Sequence, residues 1–278
     1  MTFPPRFAAL RIPIVWFVLA VSAQATEGAP QDSMASASNT AQDQSQTPGV
    51  PPGGAPKFSR FHRVLGRNLT SNLFTRNNLT PFLIGAAGAL AIAPVDQEIS
   101  QALRGHASGF GDAGQEVGGI AIASIVGGSL VASRLTKDNH FQSFSYTLAQ
   151  AYATNVILTQ GIKHATHRMR PDGSASTSLP SGHASDTFAL ATVVTGYYGK
   201  KWGIPLYVVA TLIGVSRIEH GRHWPSDVVA GAALGYIAGR TAIRGTKREL
   251  AGGKTSSGWM VVPVVGRDRR GVLVRFSY

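Results

Sequence analysis

The sequence predicts an all-α protein, a bundle of about six helices followed by a short C-terminal β-hairpin. Six apolar segments lack the alternation of β-strands and exceed the usual strand length, which favours helices. Several of them are rich in Gly and Ala, and such small residues let helices pack closely. Two short runs of β-forming residues stand near the C-terminus and favour a hairpin instead.

The N-terminus has the pattern of a secretory signal peptide over residues 1–25. Arg6 and Arg11 supply positive charge, residues 12–21 are apolar, and Ala23-Gln24-Ala25 is a typical cleavage site. An uncleaved anchor helix is the alternative. Residues 26–57 are rich in Ala, Ser, Gln, Thr, Pro and Gly, so we expect a disordered linker.

Residues 58–248 form the predicted helical domain. Its leading segment, residues 58–76, combines basic residues with apolar residues spaced at three or four, which predicts an amphipathic helix on a membrane surface or over the core. The apolar segments that follow are residues 80–94, 117–133, 141–162, 184–199, 203–217 and 226–243. Residues 249–278 form the predicted tail, with strands over 259–265 and 271–278 that cap the helical domain.

The composition limits the partners. The 278 residues carry a net charge of +12, which indicates an anionic partner. Nucleic acid is not expected, because the chain has no zinc-finger spacing, aromatic RNA-binding motif or basic helix with heptads. Cysteine is absent, which excludes disulfides and Cys-ligated metals.

Segment length and charge pattern indicate different relations of the chain to a membrane. The segment from Pro81 to Pro94 would make about 20 Å of helix, too short for a hydrocarbon core of about 30 Å. Basic residues nevertheless alternate between successive connections, as the positive-inside rule predicts for spanning helices. We favour a periplasmic domain of the cell envelope that is soluble or bound at the membrane surface, with an integral protein as the alternative.

Three short motifs lie at the ends of predicted helices that would meet on one side of an antiparallel bundle. They are Lys163 with Arg170-Pro171, then Pro180-Ser181-Gly182-His183, then Ser216-Arg217 with His223 and Asp227. The cations Lys163, Arg170 and Arg217 would repel one another in one pocket, and a phosphate would relieve that repulsion. Ser181 and Gly182 at a helix start would add a hydroxyl and backbone N–H donors.

The two histidines of these motifs can divide the chemistry of phosphoryl transfer. Asp227, four residues after His223, can accept one imidazole N–H and leave the other nitrogen as a nucleophile. His183 would protonate the leaving oxygen as general acid. No metal or other cofactor is required, because cations and N–H groups neutralise the transferring group.

These residues, in this order, resemble the signature of the type-2 phosphatidic acid phosphatase and vanadium haloperoxidase family. The resemblance covers roughly residues 80–245 and implies a mostly helical bundle and a phosphohistidine on His223. It also implies phosphate binding by one set of residues: Lys163, Arg170, Ser181, Gly182, His183 and Arg217. The expected substrates are phosphorylated lipids of the cell envelope or small phosphoesters, as monoesters or pyrophosphates.

A haloperoxidase and a non-catalytic lipid-binding protein are the alternative functions. A haloperoxidase would bind vanadate at the same residues, with His223 as the metal ligand. A non-catalytic envelope protein would use its basic surface to bind anionic lipid. Of the neighbouring residues, we expect His164 and His167 to be solvated or at the pocket rim rather than metal ligands, and Arg168 and Arg222 to lie at the rim.

Overall fold

The computed structural model describes residues 55–104, 120–252, 258–265 and 270–277. The predicted signal peptide and nearly all of the predicted linker lie outside these residues. The helices, in chain order, are α1 (Phe61–Leu69), α2 (Arg76–Ile92), α3 (Asp96–Leu103), α4 (Ile120–Leu135), α5 (Asn139–Thr166), α6 (Gly182–Tyr198), α7 (Lys200–Glu219) and α8 (Pro225–Leu250). Two short 3-10 turns, Phe58–Arg60 and Ala93–Val95, precede α1 and α3.

The predicted helical bundle is confirmed, since each of the six apolar segments overlaps one of the helices α2 and α4 to α8. The leading segment is helical over α1, but the helix ends at Leu69, before the last predicted residues. The first apolar segment is longer than predicted. From Arg76 to Leu103 the backbone continues through α2, the second 3-10 turn and α3, a run of 28 residues that is long and apolar enough to cross a membrane.

Helix α8 is the centre of the bundle and packs against α6, α2 and α5. Its approach to α6 is close because glycines face that helix. A Cβ on Gly231 would lie 2.5 Å from the carbonyl oxygen of Ser181, and one on Gly235 would overlap the carbonyl oxygen of Ser185. The backbones of α6 and α8 therefore meet without intervening side chains, which fixes the start of one helix against the start of the other.

The helix ends define two sides of the bundle. Helices α5 and α7 end, and α6 and α8 begin, at what we call the upper end. There the backbone N–H of Ser181 donates to the carbonyl of Asp227 at 2.9 Å, and that of Asp172 donates to the carbonyl of Gly221 at 3.0 Å. These bonds join the connections between helices into one loop surface, where the sequence motifs converge.

Large apolar side chains remain exposed on the outer faces of three helices. They are Leu79, Phe82, Leu83 and Leu90 on α2, Ile120, Ile125, Val131 and Leu135 on α4, and Trp202, Ile204, Val208, Val209 and Leu212 on α7. Soluble monomers seldom expose so many large apolar side chains, and such surfaces mark contact with a membrane or another protein.

The predicted C-terminal tail contains two strands, β1 (Gly258–Val265) and β2 (Arg270–Ser277). They pair antiparallel, with Gly258 opposite Ser277 and Val265 opposite Arg270. Helix α8 continues to Leu250, two residues beyond the predicted boundary of the helical domain.

Candidate active site

The upper end brings the three motifs together. Lys163 is in the last turn of α5, Ser181 precedes α6, Arg217 is in the last turn of α7, and His223 lies two residues before α8. Arg170 follows α5 in the connection to α6 and acts electrostatically on Lys163, Arg217 and His223. Residues 60 positions apart therefore share one site.

Two of the cationic side chains are buried, and their surroundings destabilise the charged form. Lys163 and Arg217 are only 8% and 6% exposed. Burial, and then the charge of Arg170, lowers the pKa of Lys163 to about 8. Burial, and then the charges of Arg222 and Arg170, lowers the pKa of Arg217 to about 10. An anion bound among these groups would remove the repulsion that lowers both pKa values.

Several donors at the site have no partner within the described residues. They are Nε and Nη1 of Arg217, Nε of Arg170 and Oγ of Ser181. Lys163 Nζ donates to the carbonyl of Thr177, and Arg170 Nη2 lies 3.5 Å from the Thr177 hydroxyl. Since buried donors are seldom left unpaired in folded proteins, this set is suited to an oxyanion.

The start of α6 contributes backbone and imidazole groups. Gly182 is its first residue, and a Cβ there would meet no described atom within 4 Å, so that side of the first turn is open. His183 is the second residue and is partly exposed. Ser181 occupies the N-cap position, but its side chain makes no capping hydrogen bond, so its hydroxyl is not used to cap the start of the helix.

The imidazole of His223 is held in one tautomer. Its Nδ1 lies 2.7 Å from the carbonyl oxygen of Ser178, and a carbonyl only accepts, so Nδ1 carries the proton. Burial, followed by the charges of Lys163 and Arg217, lowers the pKa of His223 well below its usual value of 6.5. At neutral pH the ring is uncharged, and the Nε2 lone pair is available as a nucleophile.

The expectation that Asp227 accepts the N–H of His223 is wrong. The closest approach, Nδ1 to Oδ2, is 3.9 Å, longer than a hydrogen bond. Asp227 Oδ2 instead accepts from the Ser178 hydroxyl at 2.5 Å and the Trp224 N–H at 2.9 Å. Both of these donors lie nearer than the imidazole, so Ser178 stands between carboxylate and ring.

Arg168 is 30% exposed, in keeping with the rim position that the sequence predicts, but it is also tied to the interior by two ion pairs. Its guanidinium donates to Asp227 at 2.6 Å and to Asp96, the first residue of α3, at 2.7 Å. Two buried carboxylates draw it inward. Arg222 does lie at the edge, where it pairs with Asp172 at 3.2 Å. His164 and His167 are exposed, and no cluster of three or more metal-ligating side chains occurs in the part of the chain the structure describes.

Sequence reasoning missed Ser178 and Asp96. Ser178 lies two residues before the Pro180 motif, but no spacing distinguishes it from the serines around it. Asp96 is 67 residues before Lys163, and a carboxylate at the start of a helix is common enough to carry no signal.

Comparisons with a family model and with known proteins indicate the same family. Residues 144–250 match the PAP2 superfamily. Over 80 residues the chain is 45% identical to a lipid A 1-phosphatase of Porphyromonas gingivalis, covering 28% of this chain and 18% of that protein. Over 88 residues it is 40% identical to a decaprenylphosphoryl-5-phosphoribose phosphatase of Mycobacterium tuberculosis, covering 28% of this chain and 48% of that protein. The matches thus span less than half the length of these relatives.

A solved structure is also similar. It is the transmembrane PAP2-type phosphatidylglycerolphosphate phosphatase of Bacillus subtilis, with 23% identity and a TM-score of 0.47 over 58% of this chain and 92% of that one.

Proposed function

The chain belongs to the PAP2 superfamily, and on that basis we propose that it is a phosphatase acting on phosphorylated lipids of the cell envelope. One observation carries the proposal: the buried imidazole of His223, with its Nδ1 proton held by the Ser178 carbonyl, stands among cations, and Arg170 and Arg217 among them have buried donors without partners in the described residues. A nucleophile facing an anion site is what phosphoryl transfer requires.

In the proposed reaction, the phosphate oxygens bind to Lys163, Arg170, Arg217 and the hydroxyl and N–H groups at the start of α6. Nε2 of His223 forms the bond to phosphorus as the bond to the leaving oxygen breaks, and His183 gives that oxygen a proton. Water then cleaves the N–P bond, His183 takes its proton, and phosphate leaves. The positive charge that grows on His223 is stabilised by Asp227, 3.9 Å from Nδ1.

A lipid substrate is supported by two features. The exposed apolar faces of α2, α4 and α7 suit an envelope membrane, which would bring a membrane-held phosphate to the upper end. The names of the two relatives above also specify phosphates carried on lipid A and on a decaprenyl lipid. We propose a membrane-bound protein that uses its N-terminal segment for export, with the upper end on the periplasmic side.

The test is a phosphate-release screen of the full chain, purified in detergent, over phosphatidate, phosphatidylglycerophosphate, polyprenyl diphosphate, lipid A and soluble phosphoesters. We expect release from lipid substrates, a loss of at least about a thousandfold in kcat for His223→Ala, and a loss of about a hundredfold or more for His183→Ala. The control is His62→Ala, an exposed histidine of α1. Full activity of His223→Ala would overturn the mechanism.

Vanadate distinguishes the haloperoxidase alternative in the same preparation. Because vanadate mimics the pentacoordinate phosphoryl group, we expect it to inhibit phosphate release and to produce no bromide oxidation by peroxide. Halide oxidation that depends on added vanadate, without phosphate release from any substrate, would favour the peroxidase.

A further inference from the structure

Arg168 is the common partner of two buried carboxylates from distant parts of the chain. Nη1 donates to Asp227 Oδ1 at 2.6 Å and to the Ser226 hydroxyl at 2.8 Å, while Nη2 donates to Asp96 Oδ2 at 2.7 Å. Asp227 is fully buried and Asp96 is 4% exposed. One guanidinium therefore stabilises two carboxylates that would otherwise repel each other in a site with little solvent.

Asp96 is anchored independently to the start of α8. Its Oδ1 accepts from the backbone N–H of Ser226 at 2.8 Å, and its Oδ2 accepts from the Ser226 hydroxyl at 2.5 Å. This carboxylate thus accepts a hydrogen bond from a backbone N–H in the first turn of α8 that has no partner within the helix, next to Asp227. It lies outside residues 144–250, the part of the chain that matches the family.

The contacts continue from Asp227 to the nucleophile. The Ser178 hydroxyl donates to Asp227 Oδ2, and the Ser178 carbonyl accepts from Nδ1 of His223. The backbone N–H of Ser178 donates in turn to the carbonyl of Arg168 at 2.9 Å. Arg168 therefore holds Ser178 twice, through its own backbone and through Asp227, and Ser178 holds the imidazole.

We propose that Arg168, fixed by Asp96, is a positioning residue of the active site: it holds Asp227 and Ser178 where they orient His223. This inference rests on the proposed phosphatase function for its kinetic readout only. Neither Arg168 nor Asp96 contacts the phosphate in this assignment. Their loss should therefore lower kcat and leave substrate binding by Lys163, Arg170 and Arg217 largely intact.

The charges of Arg168 and Asp96 have opposite effects on the pKa of Asp227. Burial raises the pKa of Asp227, the Ser178 hydroxyl and Arg168 lower it, and Asp96 raises it. The other ionisable groups facing it are His223 and, through the field across the site, Lys163. Removing the guanidinium should raise the pKa of Asp227, and removing the Asp96 charge should lower it.

The experiment compares Arg168→Gln, Arg168→Lys and Asp96→Asn in the full chain, with Arg60→Gln as matched control. Arg60 also pairs with a buried carboxylate, that of Glu249, at 2.9 Å, but it lies at the opposite end of the bundle. We expect kcat to fall about a hundredfold for Arg168→Gln, as for a misplacement of about 1 Å. KM should change by less than about threefold, and Arg168→Lys should recover part of the loss by keeping the charge.

The second readout needs no turnover. The ¹³C carboxyl resonance of Asp227, assigned with Asp227→Asn, reports its pKa directly. We expect it to titrate at higher pH in Arg168→Gln and at lower pH in Asp96→Asn than in the unmodified chain, with the acid limb of kcat moving in the same directions.

Unchanged kcat in Arg168→Gln, or a lowered kcat with the Asp227 titration unmoved in both variants, would overturn the positioning role. If the unmodified chain releases no phosphate, the proposed function fails, and the titration still decides this inference.

Discussion

Asp227→Asn tests how the nucleophile is oriented. The substitution keeps the shape of the side chain and removes its charge. The imidazolium character that develops at His223 lies 3.9 Å from Asp227 Oδ2. Two unit charges at that separation attract by about 1 kcal/mol in bulk water and about 4 kcal/mol at an effective dielectric constant of roughly 20. Asp227 is fully buried, so the upper value applies more closely.

These energies correspond to a loss in kcat between about fivefold and about a thousandfold, and we expect the loss to lie above about a hundredfold. The tautomer should not change, because the proton on Nδ1 is held by the Ser178 carbonyl. Where a carboxylate binds the imidazole directly, the same substitution costs about ten-thousandfold, because the wrong tautomer forms.

The assay combines phosphate release with ¹⁵N NMR of the His223 ring. His62→Ala serves as a background variant for assigning the ring signals. A loss near ten-thousandfold together with a proton on Nε2 would contradict this prediction, since it would mean that Asp227 and not Ser178 selects the tautomer. A loss below about threefold would show that the carboxylate has no electrostatic effect on the reaction.

The lowered pKa of Lys163 and the close contact of α6 with α8 can each be tested by substitution. Because the pKa of Lys163 is lowered to about 8, KM for a phosphate monoester should rise as Lys163 deprotonates above that pH. In Lys163→Arg the side chain stays charged, so KM should remain flat to about pH 9.5; the same rise in both proteins would contradict the assignment. Gly235→Ala places a Cβ against the Ser185 carbonyl and should destabilise the fold by about 1–3 kcal/mol. Gly128→Ala, which meets open space in α4, should lose nothing and gain up to about 1 kcal/mol. Thermal unfolding in detergent measures both, and equal Tm values would show that α6 and α8 can separate at no cost.

Much of the fold was predictable because it depends on short-range patterns. The bounds of α4 to α7 lie within four residues of the predicted segments, whereas α8 continues seven residues past its predicted end at residue 243. The first segment was underestimated at Pro94, since proline often ends a helix. Here Pro94 lies in a 3-10 turn that leads directly into α3, so the helical run continues to Leu103.

Residue types and their spacing establish which chemical groups are available and at which end of the bundle they lie. Spacing places Lys163 at the end of α5 and His223 just before α8, and residue type alone indicates an anion site with an imidazole beside it. The hydrogen-bond and ion-pair partners of those groups depend instead on how the helices and loops pack in three dimensions. By spacing alone, Asp227 could reach His223. The way that α3, α8 and the connection after α5 pack together instead places the Asp227 carboxylate against the Ser178 hydroxyl and the Arg168 guanidinium. Such contacts join residues up to 130 positions apart, at Asp96 and Ser226, and they depend on how buried charges are neutralised in three dimensions, which no local pattern records.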